Sequence, residues 1–219
     1  MRTVVVTGAN QGIGLELCRQ LRQRGDAVIA ACRRASAELR ALGCEVVEGV
    51  DVADDTAVAL LATALAGRQV DVLVNNAGIL SDESLDDLDF GRIRRQFEVN
   101  AVGPLRVTRA LLGHLKPGSK IVIITSRMGS IADNGSGGYY GYRMSKCAVN
   151  MAGASLAQDL KGRGIAVLLL HPGMVATEMT GRRGIAAAES VRDLIVRIDS
   201  LGLEASGTFH HANGELLPW

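Results

Sequence analysis

The sequence predicts an α/β protein built on a three-layer, doubly wound parallel sheet of about seven strands, with helices on both faces. Three observations lead there. Short Val- and Ile-rich runs recur at 3–7, 27–31, 45–47, 70–74, 121–124 and 167–170. Each is too short for a helix and lacks the polar alternation of a half-exposed strand, which is the pattern of parallel strands covered on both faces. Segments with helical spacing lie between them, and a strand–helix–strand alternation implies right-handed crossovers. No composition break, Pro- or Ser-rich linker or repeat divides the 219 residues, so 1–219 reads as one domain.

The elements follow in order. Thr3–Thr7 runs through a glycine turn into a helix marked by Leu15, Cys18 and Leu21. After Ala27–Ala31 and Glu45–Val47, the stripe Val58, Leu61, Leu65 leads to Val70–Val74. Ile93, Phe97, Val102 and Leu105 form the next stripe, ahead of Ile121–Ile124. The acidic run Asp82–Asp89 reads as a capped helix start, since acids suit the positive end of a helix, or as the edge of a substrate mouth. Asp133–Gly141 is a glycine-dense loop, followed by a helix whose small-residue face, Ala148–Ala157, could pack helix on helix between subunits. Beyond Val167–Leu170, Thr177–Gly184 reads as a mobile polar segment, and the tail 201–219 offers one short strand near Thr208–His210.

Composition excludes several functions. With 24 Lys and Arg against 23 Asp and Glu there is no basic stripe for nucleic acid, and 3% aromatic content leaves little for base stacking. No apolar run approaches the ~20 residues of a membrane-spanning helix. The four cysteines, Cys18, Cys32, Cys44 and Cys147, form no CxxC and read as buried apolar residues, which suits a reducing, cytoplasmic setting. His114, His171, His210 and His211 have no paired ligands at metal spacing, so they read as solvated or packing residues and no metal is expected.

Two stretches carry chemistry. Gly8, Gly12 and Gly14 stand between the first strand and the first helix, where glycine permits a tight turn and lets backbone approach a pyrophosphate at the helix N-terminus. The spacing is GxxxGxG rather than GxGxxG, and a purely structural corner would use the same residues. The second strand ends Ala31-Cys32-Arg33-Arg34, with no acid for a ribose 2′-hydroxyl. Arg33 can grip a 2′-phosphate bidentately with Arg34 behind it, which favours NADP over NAD; the alternative is two solvated arginines. Tyr142 and Lys146 are i and i+4 and share a helix face. Moving a phenol pKa from about 10 to about 7 needs roughly 4 kcal/mol of differential interaction, which one or two cations in a water-poor cleft can supply.

Together with Asp51-Val52, Asn75-Asn76-Ala77-Gly78, Asn100, Ser126 and His171-Pro172-Gly173-Met174-Val175-Ala176-Thr177, these motifs resemble the short-chain dehydrogenase/reductase family, in its single-domain branch. The stretch from Met128 to Lys146 and the ending GELLPW are most similar to the C-factor and sniffer-type carbonyl reductases. The resemblance implies a Rossmann fold and an NADP(H)-dependent oxidoreductase, NAD being possible, acting on a small carbonyl/alcohol pair. It also implies a homodimer or homotetramer. Tyr142 would be the general acid in reduction, Lys146 would lower its pKa and hold the nicotinamide ribose, and Ser126 would bond the substrate oxygen. Asn100 would anchor a water relaying protons to Lys146. Gly8, Asn10, Gln11, Gly12, Ile13 and Gly14 would surround the phosphates, and Asp51 and Val52 the adenine. Asn75, Asn76, Ala77 and Gly78 would floor the site, and Pro172, Gly173, Val175 and Thr177 would approach the carboxamide.

Two departures stand out. The family serine usually lies 13 positions before the tyrosine, whereas Ser126 lies 16 before Tyr142. Tyr139 has the expected spacing but pairs with Arg143, whose fork fits a ribose poorly; a three-residue insertion with Tyr142–Lys146 is the better fit, and Ser130 is the fallback serine. Gln11 also stands where NADP-preferring members often carry a base. A second reading is a dinucleotide-binding signalling protein with little turnover. A third reading, the extended branch acting on nucleotide sugars, is not the expectation, because 181–219 offers little for its substrate domain.

Overall fold

The computed structural model describes residues 1–219. Seven strands form one wholly parallel sheet: β1 (Thr3–Thr7), β2 (Ala27–Ala31), β3 (Glu45–Val47), β4 (Val70–Asn75), β5 (Leu115–Ile124), β6 (Ala166–His171) and β7 (Phe209–His211). The spatial order is β3-β2-β1-β4-β5-β6-β7, so the order in which strands are added reverses between β1 and β4 while every strand stays parallel. In open sheets of this kind ligands sit at that reversal, outside the carboxyl ends of the strands. Registers such as Val5↔Ile29, Val5↔Leu73 and Ile121↔Val167 align the strands that carry the site.

Both faces of the sheet are buried because alternate strand residues serve different cores. Val5, Ile29, Ile121, Ile123 and Val167 face one core of 22 residues with α3 (Asp55–Leu65), α5 (Gly103–Leu111) and α6 (Tyr140–Lys161). Val4, Val6, Val122, Leu168 and Leu170 face a second core of 20 residues with α1 (Gly12–Gln23) and α7 (Ala187–Ser200). The absence of polar alternation in the sequence has this cause. No helix is long and apolar enough to cross a membrane.

Several sequence expectations need correction. The stripe Ile93, Phe97, Val102, Leu105 does not stay on one face: a π-helical turn, Glu98–Val102, follows α4 (Phe90–Phe97). The wider turn rotates the face, leaving Val102 and Leu105 37% and 45% exposed while Asn100 turns inward. Asp82–Asp89 is not a helix start as a whole. Only Asp89 caps α4, accepting from the Gly91 and Arg92 amides, while Glu83 is buried. Within the Ala148–Ala157 stretch of α6 the inner side, Gly153, packs on the sheet beside Leu169 and Ile123, while Met151 and Ser155 on the outer side stay exposed. Cys18 and Cys32 are buried but Cys44 and Cys147 are only partly so. The tail 201–219 holds its one short strand, β7, while a helix the sequence reading did not assign, α7, lies just ahead of it, seated on the second core by Val191, Leu194 and Ile198.

Candidate active site

The cleft at the carboxyl ends of β1, β4, β5 and β6 has a volume of about 410 Å³. Its floor begins at the glycine turn. Gly8 has φ +64°, and a Cβ there would lie 2.8 Å from Ala77 Cα; one on Gly14 would lie 2.2 Å from the Gly8 carbonyl oxygen. Only residues without a Cβ allow this turn to close against the end of β4. Asn76 fixes it, donating from Nδ2 to the carbonyls of Thr7 at 2.9 Å and Gly8 at 3.2 Å. The Thr7 hydroxyl accepts from the Asn76 and Ala77 amides. Asn75 instead points to the other face, donating to Thr108 at 3.3 Å, and takes no part in the floor.

The start of α1 carries no side-chain cap, a feature it shares with α5, α6 and α7. Ser36, Asp54 and Asp89 cap α2 (Ala37–Ala41), α3 and α4 with their side chains, whereas Gln11 makes no capping bond. The first-turn amides of α1 are therefore left facing the cleft, together with Asn10, Gln11, Gly12, Ile13 and Gly14 on its wall. Such an end attracts an anion. Arg33 lies exposed on the rim, while Arg95 opposite it is held at 2.8 Å by Asp51, which also lines the cleft with Val52. The donor set thus fits a phosphorylated dinucleotide.

At the inner end the cleft meets Ser126, Tyr142 and Lys146, all buried. Of the sequence alternatives, Tyr139 sits before the helix, 38% exposed, and Ser130 is engaged elsewhere, donating to the Trp219 carbonyl at 3.1 Å. Burial pushes the Tyr142 phenol above its ordinary pKa, and a hydrogen bond with Ser126 offsets this only in part. Burial also lowers Lys146, to about 8. The acidification expected from the Tyr–Lys spacing is therefore not achieved by the pair alone. The reason is orientation and desolvation: the ammonium lies 5.7 Å from the Tyr142 ring centroid and donates to the Ile124 carbonyl at 2.9 Å. Asn100 holds the Ile79 backbone, accepting from its amide and donating to its carbonyl, both at 2.8 Å, and also donates to Ser145.

The opposite wall is formed by Pro172, Gly173, Val175 and Thr177. The segment after β6 is tied rather than open: Ile185 donates to the Met174 carbonyl at 2.8 Å, and Thr180 Oγ1 to the Val175 carbonyl at 2.6 Å. Sequence reasoning missed Ile79, Arg95, Thr180 and His171 in this lining. His171 and Thr180 fall inside stretches the sequence had marked without being assigned to the site, whereas nothing local marks Ile79, in the loop after β4, or Arg95, on α4.

A sequence model of the short chain dehydrogenases matches residues 2–187. The chain belongs to the short-chain dehydrogenase family. This short-chain dehydrogenase is 45% identical to 1-hydroxy-2-glutathionyl-2-methyl-3-butene dehydrogenase of Rhodococcus sp. (strain AD45), covering 100% of both chains. It is 46% identical over 162 residues to the C-signal of Myxococcus xanthus, covering 72% of this chain and 98% of that protein. The NADPH-bound carbonyl reductase from chicken fatty liver has the same fold, with a TM-score of 0.92, 28% identity and coverage of 100% and 99%. These likenesses make the dehydrogenase an oxidoreductase by family.

Proposed function

We propose that the protein interconverts a carbonyl and an alcohol by hydride transfer with NADP(H), with Tyr142 as general acid in reduction and base in oxidation. The carrying observation is convergence: Ser126, Tyr142 and Lys146 line the same cleft as the uncapped start of α1 and Arg33. The α1 amides would take the pyrophosphate and Arg33 the 2′-phosphate, with Asp51 and Val52 beside the adenine. Lys146 would hold the nicotinamide ribose, and Pro172, Gly173, Val175 and Thr177 the carboxamide. When bound, the reduced nicotinamide supplies the hydride.

In the reductive direction the proton comes from Tyr142. A phenol raised by burial stays protonated near neutral pH, so Tyr142 can hand its proton to the oxygen as negative charge develops there. Ser126 donates a hydrogen bond to the same oxygen. Lys146, near 8, has both protonation states within reach and can restore the proton to Tyr142.

The test is loss of NADPH absorbance with a panel of aldehydes, ketones and quinones. Glutathione-conjugated aldehydes belong in it, because the Rhodococcus relative is named for a glutathionyl alcohol. Tyr142→Phe should lower turnover about 10³-fold while NADPH affinity changes less than about twofold. Undiminished turnover in that variant overturns the assignment. The likeness to C-signal supports a second reading, a dinucleotide-binding signalling protein; tight NADPH binding without turnover on any substrate would favour it.

A further inference from the structure

Glu83 is a carboxylate only 1% exposed, in the middle of an otherwise solvated acidic run. It accepts from Ser81 Oγ, from Gln96 Nε2 at 3.1 and 3.2 Å, and from the Gly141 amide at 3.3 Å. Its backbone carbonyl accepts from the Tyr139 amide at 2.8 Å. One residue thus holds both the residue before α6 and an amide in the first turn of α6, immediately ahead of Tyr142.

No side chain within that end of α6 caps its free amides; Arg143 ties only the preceding loop, donating to the Gly137 and Gly138 carbonyls and to Ser136 Oγ. Tyr139 occupies the N-cap position with φ 51° and ψ 42° and makes no side-chain capping bond. A bulky residue in the left-handed region persists only where its surroundings hold it. The helix start carries positive partial charge, which a buried anion complements. Burial raises the Glu83 pKa, but hydrogen bonds from Ser81, Gln96, its own amide and Gly141 outweigh that and keep it below the usual carboxylate value. The charge is therefore present at neutral pH. Gly141 makes the contact possible: a Cβ there would lie 2.2 Å from Gln96 Nε2 and 3.0 Å from Ile93 Cα.

We propose that Glu83 is a positioning residue for the reaction: its buried carboxylate caps α6 from outside the helix, through Gly141, and so sets where the Tyr142 hydroxyl stands. The proposal rests on the reading of Tyr142 as proton donor. Gln96 is its partner, since its Oε1 accepts from the Ser81 amide at 3.1 Å while its Nε2 donates to Glu83. Glu83 touches no reacting atom and acts only through the helix.

The experiment compares Glu83→Ala, Glu83→Gln and Tyr142→Phe in the full chain by kcat, KM, NADPH affinity and the isotope effect with 4-deuterated NADPH. Glu83→Ala should lower kcat about tenfold or more, because sub-ångström displacement of a reacting group costs about that. NADPH affinity should stay within about twofold and the isotope effect should rise, since proton and hydride transfer become slower than release. Glu83→Gln can still accept from the Gly141 amide and should recover at least about half the lost rate in logarithmic terms. If Glu83→Ala does not fold, Glu83→Asp, which withdraws the carboxylate by one methylene, carries the same expectation. Unchanged kcat and isotope effect in the folded variant, or kcat and NADPH affinity falling in parallel, overturns the proposal. An active Tyr142→Phe overturns the reading of the site instead, so the two failures are distinguishable.

Discussion

Asn100 and Lys146 both border Gly78 and share no hydrogen bond. A Cβ on Gly78 would lie 3.4 Å from Asn100 Oδ1 and 3.7 Å from Lys146 Nζ, so the missing side chain leaves the space between the two polar groups open. Both side chains are otherwise engaged, Asn100 with Ile79 and Ser145 and Lys146 with Ile124.

Gly78→Ala fits that space at ordinary contact distance and should leave the fold intact. It replaces the place a relay water would take with a methyl group, so turnover should fall about tenfold with the melting temperature within about 2 °C of wild type. Steady-state kinetics and a thermal melt check this. Wild-type turnover would show that nothing passes through the gap.

Lys146 costs stability. Its native pKa of about 8, against 10.5 in the unfolded chain, means that the unfolded state binds more protons between those values. The penalty is complete below pH 8, about 3 kcal/mol, and disappears as pH rises towards 10.5. Removing the amine also strips the Ile124 carbonyl of its partner, at about 1 kcal/mol. Lys146→Met should therefore be more stable by about 2 kcal/mol at pH 7, with the gap vanishing at pH ~10 and reversing slightly by pH 10.5, where the lost hydrogen bond outweighs the remaining penalty. Urea unfolding at pH 7, 9 and 10.5 measures it; a pH-independent difference contradicts the account.

Arg33 should decide between the two dinucleotides. Loss of a charge-assisted bond to a phosphate is worth about 1.5–3 kcal/mol, or about 10- to 100-fold in affinity. Arg33→Ala should weaken NADPH by that factor and leave NADH within about threefold. Titration by fluorescence reads both, and equal losses would remove Arg33 from cofactor choice.

His171 should make the protein acid-sensitive. Burial, then the charges of His211, Arg127 and Lys146, hold its pKa down to about 3, and its Nδ1 has no hydrogen-bond partner. In the unfolded chain it protonates near 6.5, so native stability is lost as pH falls from 6.5 towards 3, by about 2 kcal/mol at pH 5. His171→Gln should lose less melting temperature between pH 7 and 5 than wild type, the rest coming from His210 and His211, which are also lowered. An equal acid loss in both proteins would place the sensitivity elsewhere.

The strand runs were legible because a strand buried on both faces needs an apolar residue at every position, which is a local signal. The glycine turn was legible for the same kind of reason, since Gly8 and Gly14 answer to a backbone shape set within a few residues. Val102 and Leu105 misled because periodicity assumes an unbroken α-helix, and one π turn shifts every later residue to another face. Asn75 and Asn76 are neighbours on a strand end, and only the pleat decides which one meets the glycine turn.

By itself the sequence determined the layered sheet, the tight glycine turn and the helical pairing of Tyr142 with Lys146, because each depends on spacing within one or two elements. The tertiary structure alone decided the rest. Glu83 became a helix cap 58 residues from its Gly141 partner, and Asn100 was turned inward by the π turn. The Tyr142 and Lys146 ionisations were set by desolvation rather than by their mutual charge. Burial and distant contacts are properties of the assembled chain, and no local window of residues contains them.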